Sequence, residues 1–177
     1  IVDKNGGSVA AYATLAEALT AANAGETVKL LADVTADVVI DKNITLDLGG
    51  KTLTNTGAGK ATISIANGAT ATVKNGTVIG GATYYNIEVT KGSNANLTLE
   101  DVTATAGNTG SSMIDNWGTM TIKSGTYTGG MNTVKSEEGS TLVINDGTFT
   151  CDYGKKWSYT ATILVYGKTT INGGTFI

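Results

Sequence analysis

What the 177-residue chain lacks narrows the field first. It contains no histidine, no arginine and no proline, and its single cysteine is Cys151. Without histidine there is no Ser-His-Asp triad, no Cys-His dyad and no imidazole metal site. Without arginine there is no bidentate clamp for phosphate or carboxylate. One cysteine excludes an internal disulfide framework and a Cys-based zinc site. Charge is sparse and nearly balanced, 12 lysines against 15 acidic residues for a net −3. No stretch is basic enough to displace counterions from nucleic acid, so nucleic acid is not expected as a partner. No apolar run approaches the roughly 18–20 residues of a membrane span, so direct membrane insertion is not expected either. The chain opens at Ile1 with neither Met nor a signal-type apolar core, which leads us to expect a mature segment or an excised fragment.

What is abundant is glycine, 24 residues, and threonine, 31 residues. Glycine stands at nearly twice the roughly 7% of an ordinary soluble domain. Apolar residues make up 41% but aromatics only 6%, so small and β-branched side chains must fill the core.

The excess has a period. The segments Thr72–Thr77, Thr98–Thr103, Thr121–Thr126, Val143–Thr148 and Thr170–Thr175 share one pattern, with Asp47–Thr52 as an earlier relative. Their final threonines fall at 52, 77, 103, 126, 148 and 175, in steps of 25, 26, 23, 22 and 27 residues. A second column keeps the same period upstream: Ile63–Gly68, Ile87–Gly92, Met113–Gly118, Val134–Gly139 and Ile163–Gly167. Each repeat reads as three strands of about four residues with alternating side chains. Val73, Leu99, Ile122, Ile144 and Ile171 share an inward face. Leu53, Val78, Ala104, Tyr127, Phe149 and Phe176 form a second apolar column, flanked by the six threonines facing outward. One repeat cannot bury its apolar face alone, but stacking equivalent strands at about 4.8 Å buries a continuous core. The expected fold is therefore all-β: a right-handed parallel β-helix (solenoid) of about six coils, with a body on the order of 30 Å long. An antiparallel meander would explain Asn67-Gly68 and Asn75-Gly76 as hairpin turns. It would not explain why whole strand triplets recur.

The N-terminus differs. Thr14-Leu15-Ala16-Glu17 is a capping-box pattern, and Leu15, Ala18, Leu19 and Ala22 follow at helical spacing before Gly25. The spacing predicts a short α-helix over about 15–23, then an apolar strand Thr27–Leu31. Residues 1–36 are read as the N-terminal cap a solenoid needs, and 37–177 as the coils. The C-terminal end carries no such device, so further β-helix coils or another chain are expected to cover it.

At this point the residues resemble a known group. The run from Leu15-Ala16-Glu17-Ala18-Leu19 into Gly25–Val34, together with Ile44–Leu53, resembles the opening of right-handed parallel β-helices of the pectate-lyase-like superfamily. Ile114–Ile122 and Ile171–Phe176 are similar to repeats of large surface proteins of gut-type Gram-positive bacteria, and to segments of phage head-fibre and tail proteins. The resemblance implies a fold and carries little about function. The superfamily's lyases and hydrolases are expected to use Arg or His beside acidic groups; neither residue type is present, so those sites map onto no position here.

Catalytic residues, metal ligands and cofactors are accordingly not expected. The adjacent acid pairs Glu100-Asp101 and Glu137-Glu138 fall at predicted corners and read as solvated charges. Lys155-Lys156 reads as a wet loop tip and Cys151 as a free thiol without special role. Asn75, Asp101, Ser124 and Asp146 share a corner column, read as a hydrogen-bonded ladder. The loops leading from the third strand to the next coil vary most, and such insertions collect on one side of a solenoid. They carry Tyr84, Tyr85, Tyr153, Trp157 and Tyr159; Trp117 and Tyr166 stand at a different exposed corner. Aromatics on polar loops offer contact surface for glycan or for a host-surface protein, and Tyr84, Tyr85, Tyr153, Trp157, Tyr159 and Trp117 are the candidate ligand-binding residues. The competing reading has them pack down over strand ends. The T-x-T pairs such as Thr126/Thr128 also resemble ice-binding arrays, but Ile79 and Ile177 break the pattern.

The expected function is a non-catalytic rigid display or adhesion module of a larger extracellular protein on a bacterial cell surface. The alternative is a phage virion fibre, a homotrimer. A polysaccharide-active enzyme or an ice-binding protein stands behind both.

Overall fold

The computed structural model describes residues 1, 5–66, 68–82, 84–92, 94–107, 110–152 and 160–177. Within them the chain is an all-β parallel solenoid of about five turns with one short helix, close to the expected coil number. Strands with alternating apolar side chains stack coil upon coil into three ladders, with parallel pairing throughout the described residues. The first ladder runs from Thr27–Lys29 through Thr45–Asp47, Thr119–Ile122 and Thr141–Ile144 to Lys168–Ile171. The second holds six strands: Val38–Ile40, Ile63–Ile65, Ile87–Val89, Ile114–Asn116, Asn132–Ser136 and Ala161–Val165. The third includes Thr52–Thr54, Gly125–Thr128, Thr148–Thr150 and Thr175–Phe176.

From Val73 onward the register is the one the repeats imply; in the first repeat Leu46, not Leu48, lies under Val73, because the Gly49-Gly50 corner holds two more residues than the corner stacked on it. Leu46, Val73, Leu99, Ile122, Ile144 and Ile171 are Cα partners in succession. So are Leu53, Val78, Ala104, Tyr127, Phe149 and Phe176. The inward members are buried up to the last coil, where Ile171 and Phe176 are exposed. Three rings of the second column stack inside the body, Tyr127 on Phe149 at 5.0 Å and Phe149 on Phe176 at 5.2 Å between centroids. This spacing follows the strand repeat and makes an aromatic spine. The Tyr127 hydroxyl, at its tip, donates to the Ser124 carbonyl at 2.9 Å.

Two coils depart from three separate strands. Thr70–Ile79 and Asn96–Thr105 each run unbroken for ten residues through the first and third ladders. Their bends are made in place by left-handed Asn75 (φ 59°) and Asp101 (φ 52°). The later coils bend one residue further on, at Gly125, Gly147 and Gly174, with φ between 115° and 134°. These corners have no room for a side chain. A Cβ on Gly125 would stand 2.3 Å from the Val102 carbonyl oxygen and 2.9 Å from the Tyr127 hydroxyl, and one on Gly147 would stand 3.1 Å from Phe149 Cε2. Where Val78 or Ala104 fills the column, no ring crowds the corner. Of the expected corner ladder one rung is seen: Ser124 Oγ accepts from the Asp101 N–H at 2.9 Å and donates to Asp101 Oδ1 at 2.7 Å. Asn75 Nδ2 instead donates to Asp47 Oδ1 at 3.2 Å, and Asp146 Oδ1 accepts from the adjacent Gly147 N–H at 2.8 Å.

The helix spans Leu15–Ala21, two residues shorter than the spacing predicts. The Asn23 N–H turns to the Glu26 carboxylate at 2.7 Å instead of extending it. The capping box forms: Thr14 Oγ1 accepts from the Glu17 N–H, and the Glu17 carboxylate accepts from the Thr14 N–H. At the other end Lys42 Nζ donates to the Thr20 and Ala22 carbonyls, a cation on the negative pole of the helix. Leu15, Ala18 and Leu19 join the solenoid core beneath.

Candidate functional site

Two outward surfaces follow from the ladders. On the third ladder Thr52, Thr77, Thr103, Thr126, Thr148 and Thr175 stand in register, and the neighbouring row is interrupted by Ile79 and Ile177. The second ladder presents a chemically richer face. Strand alternation turns Val39, Ser64, Glu88, Asp115, Lys135 and Leu164 outward in one column, one coil apart. Charged residues of both signs thus meet across coils.

Aromatic residues rim this face on both sides. Tyr84 and Tyr85 lie on the loop that enters Ile87–Val89, their ring centroids 4.7 Å apart. Past the other strand end, the pairing of Asn116 with Ser136 and of Ser136 with Val165 carries on into a column of Trp117, Glu137 and Tyr166. Trp117 and Tyr166 therefore stand two coils, about 10 Å, apart with Glu137 between them. An open groove of ≈600 Å³ lies here, lined by Lys91, Trp117, Lys135, Glu137, Glu138 and Tyr166. A second cavity of ≈240 Å³ on the far side of Lys135 reaches Tyr85, Ser112 and Leu164.

Asp115 sits at the centre of the face and is only 1% exposed. Its Oδ2 accepts from the Trp117 indole N–H at 2.8 Å, while Oδ1 is buried with no donor. Burial, and then the charge of Glu137, raises the Asp115 pKa to about 7, against the opposing pull of Lys135 and Trp117. Asp115 thus keeps a proton in slightly acidic solution. Lys135 forms an ion pair with Glu137. Burial works against the Lys135 charge, but the hydrogen bond it donates to Glu137, with the negative charges of Glu137 and Asp115, outweighs burial and holds the ammonium above its ordinary pKa. Burial, followed by the charge of Asp115, pushes the Tyr85 phenol up to about 12. Two ammonium groups rest near aromatic faces, Lys91 Nζ at 4.4 Å from the Trp117 ring centroid and Lys135 Nζ at 5.8 Å from that of Tyr166.

Of the sequence-predicted candidates, the structure brings Tyr84, Tyr85 and Trp117 to one face, on opposite edges of it. Tyr153, Trp157 and Tyr159, like Lys155-Lys156, lie outside the described residues. Glu137 needs correction. It is not a solvated corner charge but is 8% exposed and paired with Lys135, and its charge helps to raise the Asp115 pKa. Its neighbour Glu138 is exposed, and Glu100 pairs with Lys123 at 3.0 Å on the surface. Cys151 is a half-buried free thiol near the Met131 carbonyl. Among the described residues no group of three or more acids or cysteines gathers to hold a metal ion. Sequence reasoning missed Asp115, because it compared acids adjacent in the chain rather than one coil apart. The available signal was the outward column Glu88–Asp115–Lys135 with Trp117 two residues along the same strand face.

Comparisons with protein-family models, with curated proteins and with solved structures found no match for this chain.

Proposed function

We propose that the chain is a non-catalytic, rigid β-solenoid module of an extracellular bacterial surface protein, and that it binds carbohydrate on the outer face of the six-strand ladder. Within that reading it is a right-handed β-helix of the pectate-lyase-like type. The observation that carries the binding role is the rim of Tyr84, Tyr85, Trp117 and Tyr166 around buried and half-buried carboxylates. Flat aromatic faces cover the apolar side of a sugar ring, and carboxylates accept its hydroxyl donors. The continuous core beneath holds these groups at fixed spacing, so little ordering is left to pay on binding.

The same geometry speaks against hydrolysis. A general acid must reach the leaving oxygen of its substrate, and the Asp115 carboxyl is buried behind the indole it anchors.

The test is a glycan array, with a titration of whichever glycan scores. Binding is expected to the wild-type chain, with at least about tenfold loss in Trp117→Ala and in Tyr166→Ala, the size of an aromatic anchor. A blank array together with a blank host-cell binding assay overturns the reading, as does unchanged affinity in both variants. Turnover of any polysaccharide overturns its non-catalytic part.

A further inference from the structure

Which sugar the face takes is written in its charges, given that it is a carbohydrate site at all. Four acids, Glu88, Asp115, Glu137 and Glu138, share the face and its groove with two lysines, Lys91 and Lys135. Even with Asp115 protonated, the balance is one net negative charge. An anionic sugar would enter against that field.

The rings give an independent indication. Trp117 and Tyr166 each have a primary ammonium over their face, from Lys91 and Lys135. An electron-rich ring attracts a cation, so the groove already gathers ammonium groups beside its aromatic walls.

The buried acid gives a third. Asp115 Oδ1, in a residue 1% exposed, has no donor, and the charge of Glu137 bears on that carboxyl. Two neighbouring carboxylates against the one ammonium of Lys135 lack one positive charge. In the free protein a proton supplies it. A cation held on the groove side of Glu137 would supply it equally well and let that proton leave.

We propose that the groove between Trp117 and Tyr166 binds a sugar residue carrying a free amine, a 2-amino-2-deoxyhexose, with its ammonium on Glu137 and its ring between the two aromatic side chains. Glu138 adds a second, solvated negative charge at the rim. Lys91 is the internal competitor that covers Trp117 until the ligand displaces it.

The experiment is calorimetric titration of the whole chain with three probes at neutral pH: a β-1,4-linked glucosamine tetramer, its N-acetylated counterpart and a galacturonate tetramer. The glucosamine tetramer is expected to bind, the acetylated one about tenfold or more weakly, and the galacturonate not measurably. Glu137→Gln is expected to lose about tenfold for the glucosamine probe. Lys91→Met, an exposed substitution that leaves the fold intact, is expected to tighten that probe about threefold by clearing the ring. Circular dichroism checks that Glu137→Gln is folded. If it is not, Lys91→Met decides alone. Acetylated or uronate probes binding as tightly as the free amine overturn the amine assignment and leave the carbohydrate face standing. No tighter binding in Lys91→Met overturns the competitor role on which the assignment rests. Failure of the wild-type chain to bind any glycan overturns the carbohydrate face itself, and this inference with it.

Discussion

Replacing Asp115 by asparagine should stabilise the protein, and only above a definite pH. The amide keeps an acceptor for the Trp117 indole and offers Glu137 the donor that the ionised carboxylate cannot. In the folded chain Asp115 titrates at about 7 against an ordinary 3.8, chiefly because it is buried and then because Glu137 is near. A raised pKa means that the folded state holds a proton the unfolded chain has already released between these two values. Stability attributable to this group is therefore greatest below about pH 4, falls as pH rises through the window, and levels off above about pH 7. At about 1.36 kcal/mol per pH unit the full displacement corresponds to about 4 kcal/mol, an upper bound. The cost of one buried unsatisfied acceptor, about 1–3 kcal/mol, gives the working expectation. Urea unfolding of both proteins at about pH 4.5, 6 and 8 is the assay; every other carboxylate is common to both chains, so their difference isolates the Asp115–Glu137 pair. The variant should gain about 1–3 kcal/mol over wild type at pH 8 and little at pH 4.5. A difference independent of pH, or an asparagine variant less stable at pH 8, would refute the account of the buried acid.

Other perturbations address the scaffold. Phe149→Ala removes the middle ring of the spine, stacked on both sides, and should cost about 3–5 kcal/mol in urea unfolding; a loss below about 1 kcal/mol would mean the rings do not carry the core. Gly125→Ala places a Cβ 2.3 Å from the Val102 carbonyl oxygen at a φ of 126°. It should cost more than about 2 kcal/mol, whereas Gly57→Ala, at positive φ in open space, should cost about 1 kcal/mol. Equal losses would discard the explanation of the later corners. Thr14→Ala removes the helix cap and should lower stability by about 1 kcal/mol, with the helical signal near 222 nm reporting the fraying; an unchanged unfolding midpoint would contradict it.

The coils were legible in the sequence because two periods coincide there. Side-chain alternation marks each strand, and the repeat step places Ile122 over Leu99 and Tyr127 over Ala104 without any knowledge of loops. It misplaces the first coil: the step of 25 sets Leu48 under Val73, whereas Leu46 stands there because the Gly49-Gly50 corner is two residues longer. The capping box at Thr14 was legible for a local reason, since its partners lie three residues apart. The bends were less so. The room left at a corner such as Gly125 depends on the backbone of the coil stacked against it, here the Val102 carbonyl, which no single repeat contains. The site was legible in part. Tyr84, Tyr85 and Trp117 stand out as aromatics on polar segments. That Trp117 anchors Asp115, and that Glu137 of the next coil faces the same carboxyl, follows only from inter-coil register. Reading acids as chain neighbours placed Glu137 in water, whereas reading them down the ladder places it at the centre of the face.

The central claim, that the face around Trp117 is where a sugar binds, has a direct readout. The chain has two tryptophans, Trp117 and Trp157, hence two indole N–H signals in a proton–nitrogen NMR spectrum, and Trp117→Phe assigns them. On titration with the glucosamine tetramer, the Trp117 indole signal should shift progressively to saturation, because ligand on that ring perturbs the proton donated to Asp115. A Trp117 signal that stays in place while the same titration shows binding by calorimetry would put the ligand elsewhere and contradict the account.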